Sequence, residues 1–94
     1  MSGEDALARL RSAATRAVGA HQTTRAIVRG QAVLVVVAGD ADRRVIEPVV
    51  QAASARGVQV VEVESMTALG RACGIAVGAA AGAVLVEAPP SNQS

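Results

Sequence analysis

Ala32-Val33-Leu34-Val35-Val36-Val37-Ala38 is an unbroken apolar run, rich in β-branched side chains and framed by Gly30 and Gly39. A run of that length and composition reads as a strand. No polar residue interrupts it, so the strand is covered on both faces, as in a layered α/β domain. Upstream, residues 4–18 read as a helix: Leu7, Leu10, Ala14 and Ala17 form an apolar stripe, with Asp5, Arg9, Ser12 and Arg16 opposite. A shorter helix is predicted over 21–29 and stops at Gly30. Downstream, Gly39-Asp40-Ala41-Asp42 turns the chain into a third helix over 43–56. Pro48 is expected to make the start of that helix irregular or to force a restart at Glu47. Gly57 closes it, residues 58–63 form a second strand, and Ser65 caps a fourth helix over 66–73. A glycine-framed loop, Gly74-Ile75-Ala76-Val77-Gly78, leads to a last strand over 80–86. Helices alternating with apolar strands predict an α/β fold, a three-layer α/β/α sandwich with a four-stranded mixed sheet. The expected organisation is one domain over 1–88 and a flexible tail over 89–94, which holds Pro89, Pro90 and a polar end.

Composition narrows the functions available. The chain has 94 residues, half of them apolar, and no Phe, Tyr or Trp. Its core must therefore close by tight backbone approach around Ala and Val. Modules that stack single strands on aromatic platforms are disfavoured for the same reason. All nine basic residues are Arg, against eight acidic ones, and the net charge is +1. No bulk field draws such a chain to nucleic acid, so any RNA-binding face must come from local clustering. Without Lys, neither Schiff-base chemistry nor a phosphate-loop lysine is open to it. The single Cys excludes an internal disulfide and a cysteine metal cluster, which fits a reducing compartment. No signal peptide is visible, and the expected location is cytoplasmic. The uncharged stretch 72–86 is shorter than the roughly 18–20 residues of a membrane helix and carries Gly74, Gly78 and Gly82, so no membrane partner is expected.

Catalytic constellations are missing. His21 is the only histidine, and no Ser–His–Asp, Cys–His or His–His spacing exists. Asp40 and Asp42 are two apart after a strand, where a magnesium ion is conceivable, but helix capping is the better reading. Cys73 reads as a small buried hydrophobe. The chain is therefore expected to be no enzyme and to carry no cofactor and no metal. Two stretches remain. Gly19-Ala20-His21-Gln22-Thr23-Thr24-Arg25 has the layout of a helix start, with Gln22 and Arg25 on one side of its first turns. Free amides there favour negative partners, while a carboxamide and a guanidinium can read base edges and phosphates. The alternative is a solvated helix end with nothing bound. In the loop, Ile75 and Val77 alternate; either they stand out as apolar knobs able to cover an unstacked base, or both tuck into the core.

Residues 64–81, Glu64-Ser65-Met66-Thr67-Ala68-Leu69-Gly70-Arg71-Ala72-Cys73-Gly74-Ile75-Ala76-Val77-Gly78-Ala79-Ala80-Ala81, resemble the C-terminal signature of the ribosomal protein L-seven-Ae / L-thirty-e family. Gly19 to Ile27, with Arg29-Gly30 and Asp40-Ala41-Asp42, matches its N-terminal half in the same order. The likeness covers residues 5–86 and is nearest to the small bacterial, ribosome-associated members. It implies a non-catalytic module that binds kink-turn RNA, a sharply bent helix with tandem sheared G·A pairs. In archaeal and eukaryotic relatives the first motif is Gly-x-Asn-Glu-x-x-Lys, whose polar residues contact those pairs. By position they become His21, Gln22 and Arg25 beside Gly19, with Arg29 one turn further on. The second motif's loop covers an extruded nucleotide, which implies roles for Ile75, Ala76 and Val77. The sequence departs from the pattern at all three polar positions, at Ala76, where Glu is common, and at Arg43, where Pro is common. The resemblance thus implies structured RNA as partner, ribosomal RNA and a leader RNA being the candidates, with the ribosome as a possible assembly and a monomeric state expected. The competing expectation is a protein–protein module that kept the fold and lost RNA binding. A third, disfavoured by chain length, is a substrate-binding domain like those attached to RNA methyltransferases.

Overall fold

The computed structural model describes residues 1–86, so the expected tail over 89–94 lies outside the described residues. Its elements are α1 (Gly3–Ser12), β1 (Arg16–Val18), α2 (Ala20–Val28), β2 (Ala32–Ala38), α3 (Arg43–Ala55), β3 (Gln59–Val63), α4 (Met66–Ala72) and β4 (Ala81–Leu85). The strands form one mixed sheet in the order β1-β4-β2-β3. β2 runs parallel to β3, and β4 is antiparallel to both β2 and β1. The three-layer α/β/α arrangement is that expected from the sequence.

Because side chains alternate across a strand, the apolar run of β2 feeds two separate cores. Leu34, Val36 and Ala38 meet Ala6 and Leu10 of α1 and Leu69 and Ala72 of α4 on one face. Val35 and Val37 meet Ile27 of α2 and Ile46, Val49 and Ala53 of α3 on the other. Small residues on β4 let the layers close: Ala81 and Ala83 are fully buried, and a Cβ at Gly82 would stand 3.3 Å from both the Ala17 carbonyl oxygen and Cys73 Sγ. Burial pushes the Cys73 thiol above its ordinary pKa, with the charge of Arg16 acting in the opposite direction. It is the small core residue the sequence indicated.

Two readings need correction. The first helix does not reach residue 18. It ends at Ser12, where Ala13 turns extended (φ −69°, ψ 136°), and residues 16–18 form an edge strand instead. Pairing decides this: Arg16, Ala17 and Val18 lie opposite Val84, Ala83 and Gly82, so their backbone groups join the sheet. Ala17 then enters the α2–α3 core, while the Arg16 guanidinium donates 2.9 Å to the Leu10 carbonyl at the end of α1. Nor does Pro48 break or restart the third helix. α3 is continuous with Pro48 inside it, exposed, because Ile46, Val49 and Ala53 anchor the opposite side to the sheet.

Helix starts are held by side chains. Ser2 Oγ accepts from Asp5 N–H at 3.1 Å, and Ser65 Oγ accepts from Ala68 N–H at 3.1 Å. Asp42 Oδ1 accepts from Arg44 N–H at 2.9 Å, and Asp40 Oδ1 reaches across to the Met66 N–H at 2.8 Å. Both carboxylates therefore cap helices, and Asp40 also ties the β2–α3 turn to α4. One polar group stands out in the core: Thr23 is fully buried and its hydroxyl has no hydrogen-bond partner among the described residues. A buried hydroxyl without a partner costs stability, and valine has the same shape without it. Thr23→Val is therefore expected to raise the unfolding free energy by about 1 kcal/mol, read from urea denaturation midpoints at unchanged slope.

Candidate nucleic-acid interface

The tip of α2 is built by Gly19. Its N–H donates to the Ala81 carbonyl at 2.8 Å, and its own carbonyl accepts from Thr23 N–H at 2.9 Å. Meeting both bonds holds Gly19 at φ +95°, ψ 153°, a conformation essentially reserved for glycine. No side chain caps this helix, so the amides of Ala20, His21 and Gln22 have no partner among the described residues and face outward. It differs in this from α1, α3 and α4, each capped by Ser or Asp.

The exposed side chains of α2 then divide. Gln22, Arg25 and Arg29 line one groove of about 190 Å³ together with Arg16, Gln31 and Leu85, between α2 and the sheet edge. His21 lies on the other flank, in an apolar groove of about 350 Å³ floored by Ala20, Val45 and Pro48. Arg25 borders both. Gln22 and Arg25 thus share a side, as their spacing indicated, whereas His21 faces α3.

The loop after α4 is folded back onto its own helix. Ile75 N–H donates to the Gly70 carbonyl and Ala79 N–H to the Met66 carbonyl, both at 3.0 Å. Gly70 makes the close approach possible, because a Cβ there would overlap the Val77 carbonyl oxygen. The result separates the two candidate knobs. Ile75 is half-buried against the α1–α4 core, while Ala76 is exposed and Val77 is 71% exposed. The loop and the α2 tip meet through β4: the loop runs into Ala81, whose carbonyl holds Gly19. From Gly78 to Ala81 the chain spans at most about 10 Å.

Charge is segregated despite a net of +1. Among the described residues the arginine groove contains no carboxylate, whereas Glu4, Glu62 and Glu64 line a cleft between α1, the end of β3 and α4. β1 and β3 are opposite edges of the sheet, so the basic and acidic surfaces lie toward different sides. Composition alone could not show this. Arg16 was not among the candidate site residues read from the sequence, because the helical reading of residues 4–18 assigned it to a solvated face, and Arg16-Ala17-Val18 carries no alternation that would mark a strand. Gly70 lay inside the quoted signature, but nothing in the sequence revealed that its missing Cβ seats the loop. Among the described residues no group of His, Cys, Asp and Glu could hold a metal ion, and no helix is long and apolar enough to cross a membrane.

An open helix tip and a seated apolar loop thus lie on one α/β/α sandwich. Comparison with known proteins gives the family. The model of the ribosomal protein L7Ae/L30e/S12e/Gadd45 family matches residues 1–92, and the chain belongs to this family. It is 52% identical over 68 residues to the RNA-binding protein YbxF of Geobacillus stearothermophilus, covering 72% of this chain and 83% of that protein. It is 41% identical over 68 residues to large ribosomal subunit protein eL8 of Halobacterium salinarum, covering 71% of this chain and 57% of that protein. Among solved structures, the 15.5kD RNA binding protein of Giardia lamblia superposes with a TM-score of 0.75 at 30% identity, covering 89% of this chain and 73% of that one.

Proposed function

We propose that this chain binds RNA without catalysis and recognises a kink-turn, through its tandem sheared G·A pairs, in a ribosome-associated setting. The observation that carries the reading is the uncapped tip of α2, with three unpartnered amides beside exposed Gln22 and Arg25. Relatives described as RNA-binding support it, as does the arginine groove that continues from Arg25 to Arg29. In this reading the α2 amides and Gln22 meet the purine edges of the G·A pairs, Arg25 and Arg29 meet phosphates, and Val77, braced by half-buried Ile75, covers the extruded base. Gln for the family's Glu keeps the acceptor oxygen without its charge, and Arg for Lys keeps the phosphate contact with a planar fork. His21 contributes from the flank toward α3.

The test is a gel shift with a kink-turn RNA and a control in which Watson–Crick pairs replace the G·A pairs. The kink-turn should shift at lower protein concentration; equal weak shifts would instead support a protein–protein module. Gln22→Ala and Arg25→Ala are each expected to weaken kink-turn binding by about 1–3 kcal/mol. With three to five phosphate contacts, log K should fall with log salt at a slope on the order of −3 to −4, shallower by about 1 in Arg25→Ala. Unchanged dissociation constants in both variants would remove the site.

A further inference from the structure

Arg16 is half-buried on the edge strand, and its side chain spans two parts of the molecule. Nη1 donates to the Leu10 carbonyl at 2.9 Å and to the Arg11 carbonyl at 3.4 Å, satisfying the open C-terminal end of α1. Nη2 stands beside the root of the loop: it is the one non-neighbouring heavy atom among the described residues within 4 Å of where a Cβ on Gly74 would lie, 3.4 Å away and in ordinary van der Waals range. Gly74 begins the loop that carries Ile75 and Val77, and its N–H closes the end of α4 on the Arg71 carbonyl at 3.0 Å. Arg16 also borders the groove of Gln22, Arg25 and Arg29. One planar cation thus bridges the end of α1, the root of the loop and the edge of the groove. A guanidinium can do this because its donors diverge in a fixed fork; an ammonium on a flexible stem cannot hold the same geometry.

We infer that Arg16 is a positioning residue that sets the Gly74–Gly78 loop for contact with the extruded base. This rests on the proposed kink-turn reading. Removing the side chain leaves the Leu10 carbonyl with the Ala13 N–H alone, takes this donor from the Arg11 carbonyl and opens space beside Gly74, so the loop keeps its bonds to α4 but loses a support at its root. The loss falls on the contact the loop makes, leaving the amides of the α2 tip and Gln22 as they were.

The experiment compares wild type, Arg16→Ala and Arg16→Lys on two RNAs: a kink-turn with its extruded nucleotide intact, and the same RNA with that nucleotide abasic. Hydrogen exchange of residues 74–79 is measured in the RNA-free proteins. Arg16→Ala should lose about tenfold in affinity for the intact RNA and less than about twofold for the abasic one, the size of a coupling between residues in contact. Exchange at the Ile75 and Ala79 amides should quicken. Arg16→Lys, with its charge kept and its fork lost, should follow Arg16→Ala. Equal losses on both RNAs, or full rescue by lysine, would mean a plain phosphate contact and overturn the inference. Should wild type fail to bind the kink-turn, the proposed function falls and exchange alone decides: unchanged rates at 74–79 overturn the positioning role, faster rates uphold it.

Discussion

Gly70→Ala is expected to lower the unfolding free energy by about 2 kcal/mol, although alanine is the better helix former. Propensity alone predicts the opposite, a gain of about 1 kcal/mol for replacing a helical glycine. The clash decides the sign. A Cβ at Gly70 would overlap the Val77 carbonyl oxygen and stand 3.1 Å from Gly78 Cα. Both are backbone, so neither can rotate aside. If the fold absorbs the overlap, the cost is that of overpacking, roughly 1–3 kcal/mol and occasionally more. If the loop lifts away instead, the bonds from Ile75 to Gly70 and from Ala79 to Met66 are lost, and Ile75 leaves the α1–α4 core. Either route outweighs the propensity gain. Urea denaturation measures the sum, and kink-turn affinity distinguishes the routes: a lifted loop removes the cover over the extruded base, while a strained but seated loop keeps it. A variant more stable than wild type would show that the loop does not rest on α4.

Most of the architecture was legible because burial wrote it into the sequence. From Leu34 to Ala38, β2 must face two cores at once, which leaves no place for a polar residue there, whereas Val33 near its start is exposed. The helices that cover it carry apolar residues on one side, and Asp42 and Ser65 announce two of their starts with capping side chains. What escaped reading was set by tertiary pairing. Arg16-Ala17-Val18 is too short to show a period of two, and it continues the helical stripe of Leu7 and Leu10 well enough to pass for a further turn. Only its partner Gly82–Val84, more than sixty residues on, makes it a strand. Pro48 misled for a related reason: the missing backbone donor is a local cost, and anchoring by Ile46 and Val49 exceeds it. The candidate site was half legible. The polar residues of the α2 tip stand in sequence order, so their spacing could be read directly. The separation of Ile75 from Val77 could not, because it follows from how the loop lies on Gly70.

Gly19→Ala should destabilise the protein by about 2 kcal/mol and weaken kink-turn binding together, and the cause should be backbone handedness alone. At φ +95°, ψ 153° an L side chain strains its own backbone. Apart from its chain neighbours, no heavy atom of the described residues lies within 4 Å of a Cβ built there, so tertiary crowding contributes nothing. The chain cannot escape cheaply by rotating Gly19 to negative φ. Its N–H is committed to Ala81 and its carbonyl to Thr23, and moving either peptide turns the amides of Ala20, His21 and Gln22 away from the open tip. Strain retained costs stability; strain released costs the anion-facing amides. D-alanine separates these causes, because its mirror-image preference makes the same dihedrals ordinary extended backbone. In a chemically assembled chain, D-alanine at position 19 should therefore stay within about 0.5 kcal/mol of glycine in stability and should keep RNA affinity, while L-alanine loses both. Equal losses for the two enantiomers would mean that the added methyl group, and not the left-handed turn, disturbs the helix tip.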